Sequence, residues 1–413
     1  MLRNYGTLPE RVSGDIDLLV APEFLAQAEA DLIACARSHS LALVNRAWFS
    51  PLALFFANVE TGCQIHIDLF HNLNWRGISL VNVRDLGERR REHRGLFFVP
   101  HPVDEAAIKF LTQQMYWGRV KDSYHASVQE AFSSWPSEAE ALLRPLFGAD
   151  ARRLLGSIQR ARWDEASAFA RSRKLSIILR QFRHPLKYAL QLARDASRLL
   201  RRYLQPPGLT IILLGPDGAG KSTLATLMQE KLSVLFSLEK GRYIHWKPTR
   251  KKLSSDAKAH TDPHARAPRS LPISFAFLLF HWFGFLFGSW QVVRSILFRN
   301  GMVLIDRYFH DMQVDLRRYC LHARTPGIRF FTGLLPAPDL IFVLDAPSEV
   351  LQARKAEVTL EETRRQRLAY GALSRIYPQA RILNAALPSD EVARQAVREV
   401  LSYLERRSRD RIR

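Results

Sequence analysis

Cysteine is scarce. Only Cys35, Cys63 and Cys320 occur in 413 residues, odd in number and too widely spaced for a zinc pattern, which excludes a disulfide framework and fits a reducing compartment. Acidic side chains are also in deficit, 40 Asp and Glu against 60 Lys and Arg, which leaves a net charge of +20. That imbalance argues against a cationic partner and for an anionic one: nucleotide phosphates, nucleic acid or an acidic membrane leaflet. The first eight residues lack the apolar run and small-residue cleavage site of a secretory leader, so a cytoplasmic setting is expected. No internal repeat is visible.

What is present is ordinary globular material, 47% hydrophobic and 24% charged, in a chain too long for one core of usual size. Pro206, Pro207 and Gly208 punctuate it before an apolar run. The expected division is a unit over 1–165, a basic helical linker over 166–207 and a second unit over 208–413. In the first unit, residues 14–20 read as a strand, 22–38 as a helix and 65–70 as a second strand. Ile108, Leu111 and Met115 recur at helical spacing behind Asp104, read as an N-cap, and helical composition resumes over 137–155 with a break expected at Pro145. Over 171–204, Leu186, Leu190, Ala193, Leu200 and Leu204 share one helical stripe flanked by Lys187, Arg194, Arg198, Arg201 and Arg202. That stripe reads as the face of a solvated helix packed on a domain, with a membrane-surface role as the alternative.

Residues 247–271 are rich in Lys, Arg, Ser, His and Pro and read as a loop. Residues 271–293 then contain no Asp, Glu, Lys or Arg, long enough to cross a bilayer. A single crossing would separate strands that belong to one sheet. The reading is therefore a buried or membrane-surface helix pair, interrupted at His281, Gly284 and Gly288. With the net charge, it raises the expectation of peripheral contact with the anionic inner face of a membrane.

Chemistry enters at Gly215, Pro216, Asp217, Gly218, Ala219, Gly220, Lys221, Ser222 and Thr223, which satisfy G-x-x-x-x-G-K-[ST] between an apolar strand and an apolar helix. Loop N–H groups and the helix N-terminus would cradle phosphate oxygens, Lys221 would reach the terminal phosphates, and the Ser222 hydroxyl would bind Mg²⁺. Residues 302–305 form a short buried-strand pattern ending in Asp306, placed where ligands of open α/β sheets bind and suited to hold Mg²⁺. Arg307 follows, placed for an acceptor phosphate. A third strand over 340–344 ends in Asp345, and the following segment carries Arg354, Lys355, Arg364, Arg365 and Arg367, read as a lid over ATP.

These residues resemble thymidylate kinase. The loop, the triplet Asp306-Arg307-Tyr308 and the run from Pro338-Asp339 through Asp345-Ala346-Pro347-Ser348-Glu349 to Arg354 stand in that family's order over roughly 209–404. The resemblance implies an α/β P-loop NTPase fold, a parallel sheet with helices on both faces, using ATP and Mg²⁺ to phosphorylate an acceptor. It assigns Lys221, Asp306, Arg307 and Arg354 to catalysis, with Asp217 on the acceptor sugar, Arg307 on its phosphate and Arg354 at the lid. Gly218 and Ala219 stand where some members carry an arginine, so the catalytic cation would come from the lid. Residues 309–315 depart from the stretch that forms the thymidine monophosphate site, so another acceptor is expected, a nucleotide or a cell-envelope glycan.

In the first unit, Asp15 and Asp17 form a D-x-D on one strand and Asp68 lies on a later one, three carboxylates for a divalent metal and a nucleoside triphosphate. This resembles the nucleotidyltransferase fold, a smaller α+β domain. That family's triphosphate-binding Gly-Ser pair is matched only by Gly6-Thr7 or Ser13-Gly14, and Met1 falls where the family already has a helix and strand behind it. Joined units of this kind resemble proteins of bacterial surface-polysaccharide gene clusters. Three functions follow: a phosphotransferase, a nucleotidyltransferase regulated by its P-loop half, or a non-catalytic ATP-binding factor at a membrane surface. The expected partners are ATP and a phosphate acceptor, with nucleic acid disfavoured and a homodimer left open.

Overall fold

The computed structural model describes residues 1–2, 5, 8, 10, 12, 14–183, 185–237, 241–248, 267–356 and 358–412. Gly6, Thr7 and Ser13, the side chain of Lys187 and residues 249–266 of the basic loop lie outside this set. The chain forms two compact units, one of Met1–Phe56 with Ile65–Arg202, the other of Ala57–Gln64 with Tyr203–Arg413.

The first unit holds a four-stranded sheet built from β1 (Ile16–Leu19), β2 (Ala42–Trp48), β3 (Leu52–Ala57) and β4 (Gln64–Phe70), in the order β1-β4-β3-β2. β1 runs parallel to β4, with Asp17 opposite Asp68. The helix Leu25–Ser38 covers the sheet, its Leu32 and Ile33 packing beside Leu52, Leu54, Phe56 and Leu69. Pro22, which fixes its own φ and has no N–H, opens the turn that leads into that helix. Two hairpins follow that composition did not reveal: β5 (Leu73–Trp75) with β6 (Ile78–Val81), and β7 (Arg91–His93) with β8 (Phe97–Val99). A helical core then gathers Phe110, Leu111, Phe132, Leu143, Phe147 and Leu154.

Several local expectations change. Asp104 does not cap its helix, which starts earlier as Pro102–Trp117 because proline suits the first helical turn; Asp104 is buried within it and accepts a hydrogen bond from Arg89. Pro145 lies inside the helix Pro136–Phe147, and the break falls at Gly148, whose positive φ ends the turn. The 166–207 stretch begins as part of the first unit, since Ala166, Ala170 and Ile177 are core residues. Its last helix, Pro185–Leu204, turns the stripe of Leu186, Leu190, Leu200 and Leu204 outward instead of packing it.

In the second unit, β9 (Leu209–Leu214), β10 (Arg242–His245), β11 (Met302–Asp306), β12 (Leu340–Asp345) and β13 (Ala380–Asn384) form an all-parallel sheet in the order β10-β11-β9-β12-β13. Every residue of β9 and β11 is buried, which explains their unbroken apolar runs: a parallel sheet is covered on both faces. With β9 leading into the glycine loop, this is an α/β fold of the P-loop NTPase kind.

The charge-free segment is one continuous helical run over 271–298, not a pair. Leu271–Gly288 passes through a π-helical turn, Ser289–Val293, into Arg294–Phe298. Among the described residues it is the one helix long and apolar enough to cross a membrane, with a mean hydropathy of 1.7 over an 18-residue window. Its Leu278, Phe285, Val292 and Leu297 face the sheet core beside Ile212 and Ile305. Gly284 and Gly288 do not break it. A Cβ at Gly284 would lie 1.9 Å from Lys247 Nζ and one at Gly288 2.0 Å from the carbonyl oxygen of Pro248, so these glycines let a neighbouring segment cross the helix closely.

Candidate active site

Parallel register sets the site, because it lines up the C-terminal ends of the strands. His245 pairs with Asp306 and Asp306 with Leu213, two residues before Gly215 opens the glycine loop. The loop curls only because its glycines permit it. Gly215, Gly218 and Gly220 all have positive φ, and a Cβ at Gly215 would lie 2.5 Å from the carbonyl oxygen of Leu344. Gly220 precedes the helix Lys221–Lys231, whose first N–H groups face the same hollow.

That hollow is a cavity of about 800 Å³ lined by Asp217, Gly218, Ala219, Gly220, Lys221, Ser222 and Thr223 of the loop, and by His245, Asp306, Arg307, Arg318 and Arg354 from other elements. Lys221 is buried, and its ammonium donates to the carbonyl oxygens of Gly215 and Pro216, each at 2.9 Å. Burial and the neighbouring Arg307 lower its pKa, opposed by Asp306, Asp217 and Asp311. Asp306 is buried at the end of β11. Its Oδ2 accepts from the Tyr243 hydroxyl at 3.0 Å and lies 3.2 Å from His245 Nδ1. Burial pushes the Asp306 carboxyl up, but Lys221, His245 and Arg307 outweigh it and hold the pKa below the usual value. Its Oδ1 is buried without a hydrogen-bond partner among the described residues. An orphaned anionic oxygen in a cavity that Ser222 also lines suits a hard divalent cation, so Ser222 and Asp306 fit Mg²⁺.

Arg307 adopts a left-handed backbone conformation, φ 56°, fixed by its N–H donating to the Leu213 carbonyl at 3.1 Å. Its guanidinium donates to Asp217 Oδ1 and, at 3.5 Å, to Asp311 Oδ2. Asp311 also accepts from the Tyr319 and Tyr370 hydroxyls, and this fully buried carboxylate anchors Arg307. Arg318, which nothing in the motif indicated, donates to the other oxygen of Asp217, while its Nε reaches Asp315 at 3.3 Å. Tyr243, His245, Asp311 and Arg318 were all missed. Tyr243 and His245 lie on a four-residue strand that carries no motif, and Asp311 and Arg318 lie in a mixed polar and apolar stretch beyond Arg307, so no local pattern marked them.

The lid expectation divides. Arg354 lines the cavity and donates to the carbonyl oxygen of Ala385 at 2.8 Å, and Lys355 lines it too. The other three arginines do not line it, because nearby acids hold them on the helix Leu360–Ile376. Arg364 pairs with Glu349 at 2.8 Å, Arg365 with Glu362 at 2.7 Å and Arg367 with Asp345 at 2.7 Å.

In the first unit, one ligand oxygen from each of Asp15, Asp17 and Asp68 lies within 4.8 Å of the others, a direct result of the β1–β4 register. His66 Nε2 lies 3.0 Å from Asp68 Oδ1. Three carboxylates at this spacing fit a divalent cation by donor chemistry.

No protein-family model matches this chain, and no curated protein matches it. Among solved structures, a thymidylate kinase from Ehrlichia chaffeensis aligns over 46% of this chain and 98% of its own, at 17% identity and a TM-score of 0.34. A thymidylate kinase from Candida albicans aligns over 46% and 89%, at 17% identity and a TM-score of 0.33. Similarity at this level carries no argument about activity, and the P-loop NTPase fold rests on the sheet order and the loop geometry described above.

Proposed function

We propose that the second unit is an ATP-dependent phosphotransferase that moves the γ-phosphoryl group of ATP to a nucleotide or a cell-envelope glycan acceptor. One observation carries this reading: the phosphate loop with Lys221, the carboxylate of Asp306 and the paired guanidinium groups of Arg307 and Arg318 line a single cavity. Phosphoryl transfer asks a protein for positioning and charge stabilisation more than covalent chemistry. Loop N–H groups hold the ATP phosphates, and Lys221 and Arg354 offset charge on the migrating group. Arg307 and Arg318 orient the anionic end of the acceptor. Mg²⁺ held by Ser222 and Asp306 would supply further charge neutralisation on the phosphate oxygens. A transfer screen with γ-labelled ATP over nucleoside monophosphates and cell-envelope glycans tests the reading: label on an acceptor supports it, and no transfer to any acceptor class removes it.

A second activity is favoured by the convergence of Asp15, Asp17 and Asp68, a metal-dependent nucleotidyl transfer in the first unit. Transfer of an α-label with release of pyrophosphate distinguishes it from the kinase reaction. A non-catalytic ATP-binding factor would give neither product.

Location at the inner face of a membrane belongs to the same proposal. It is supported by an outward stripe of Ile273, Phe280, Phe283, Phe287 and Trp290 on a helical run without acidic residues, in a chain of net charge +20.

A further inference from the structure

Another cavity lies within the first unit. It measures about 1130 Å³ and is walled by the ends of β2 and β4, the β5–β6 hairpin and the helix Pro185–Leu204. None of Asp15, Asp17 or Asp68 lines it. The hairpin turn closes one side. Gly77 there has φ 76°, and a Cβ on it would lie 3.2 Å from Gln191 Cβ, so the turn meets the helix at a distance that favours glycine.

Three features of the wall call for a ligand. Four arginines, Arg76, Arg194, Arg198 and Arg201, line the cavity with a single carboxylate, Asp195. Asp195 is taken by Arg198 at 3.3 Å, and among the described residues no carboxylate pairs with Arg76, Arg194 or Arg201. Next, Trp48 Nε1 and His71 Nδ1 are buried without hydrogen-bond partners among the described residues, and their rings meet edge to face at 5.9 Å. Buried polar atoms are rarely left unpaired, because an unmade bond forfeits the hydration the group had in water. An indole N–H only donates, so its missing partner is an acceptor oxygen. Burial and then Arg198 hold the His71 pKa below its usual value, which keeps the ring neutral and able to donate or accept. Lastly, Tyr116 and Tyr188 add aromatic surface to the same wall.

Unpaired guanidinium groups ask for a phosphate, the orphaned indole N–H and imidazole ask for hydroxyl or ring oxygens, and the aromatic wall suits the face of a sugar ring. We propose that this cavity is a binding site for a sugar phosphate, separate from both the acidic triad and the phosphate loop.

The test is calorimetric titration of the full chain with glucose 1-phosphate and ribose 5-phosphate, against inorganic phosphate and free glucose. At least one sugar phosphate is expected to bind with 1:1 stoichiometry and at least about tenfold more tightly than either control, since both halves of the ligand contribute contacts. The double variant Arg194→Gln/Arg201→Gln is expected to weaken that binding by about tenfold or more, with ATP binding retained as the check on folding. Trp48→Phe, which keeps a ring and removes the N–H, should weaken it by about fivefold. Lys221→Ala should leave it unchanged. The proposal fails if no sugar phosphate binds, if inorganic phosphate binds as tightly, which would mean a simple anion patch, or if binding is lost in Lys221→Ala and kept in the double arginine variant.

Discussion

Arg307 and Arg318 donate to opposite oxygens of one carboxylate, that of Asp217 in the phosphate loop. The two guanidinium groups, 11 positions apart in sequence, are thereby held side by side at the edge of the cavity. Breaking a buried ion pair from one side leaves uncompensated charge, which commonly costs about 3–5 kcal/mol. Asp217→Asn should therefore destabilise the second unit by about 3 kcal/mol and weaken acceptor use. Urea titration reports the first effect, and an unchanged midpoint would show that Asp217 is not the link.

Removing the Lys221 ammonium should lower ATP-dependent turnover by about 10² to 10³, the usual cost of losing one preorganised electrostatic contact. The fold should survive, because the hydrogen bonds of the ammonium go to carbonyl oxygens of its own loop. Full turnover in a folded Lys221→Ala protein would end the kinase assignment.

Thymidine monophosphate should be a poor acceptor. After Arg307, the side chains of Phe309, His310 and Met312 are buried, and the Asp311 carboxylate already accepts from Arg307, Tyr319 and Tyr370. That segment leaves few polar groups to pair with a thymine base, and each unpaired buried group costs about 1–3 kcal/mol. Steady-state kinetics should place kcat/KM for this substrate below about 10⁴ M⁻¹s⁻¹.

Stability should fall in mild acid. Burial lowers the His310 pKa from 6.5 to about 4. Between those values the unfolded chain takes up a proton that the folded chain refuses, so stability is full above the unfolded pKa and drains away as pH falls toward the folded one. From pH 7 to pH 5 this single group accounts for about 2 kcal/mol. Urea midpoints for the parent and for His310→Gln should converge as pH falls across that window; parallel pH profiles would assign the acid sensitivity elsewhere.

Binding to phosphatidylserine vesicles should exceed binding to phosphatidylcholine vesicles and fall steeply with salt, since each basic residue near an anionic surface contributes about 1 kcal/mol. Phe283→Ser/Phe287→Ser, on the outward stripe, should weaken it without loss of ATP binding. Sedimentation measures both effects, and equal binding to the two vesicle types would remove the membrane from the account.

The sequence by itself determined the phosphate loop and the strands that end in Asp306 and Asp345, because those signals are local: a glycine pattern, a buried apolar run and the residue that follows it. It also named Asp15, Asp17 and Asp68, although only the parallel pairing of β1 with β4 brings their oxygens within 4.8 Å. Tertiary structure alone decided which arginines meet the cavity. Arg318 reaches Asp217 across 101 positions, while Arg364, Arg365 and Arg367, equally basic in the sequence, are taken by Glu349, Glu362 and Asp345. It likewise turned the leucines of Pro185–Leu204 outward and packed the 271–298 run against a sheet. Periodicity fixes which residues share a face of a helix; what that face meets depends on residues far away in the chain, and no window of sequence contains them.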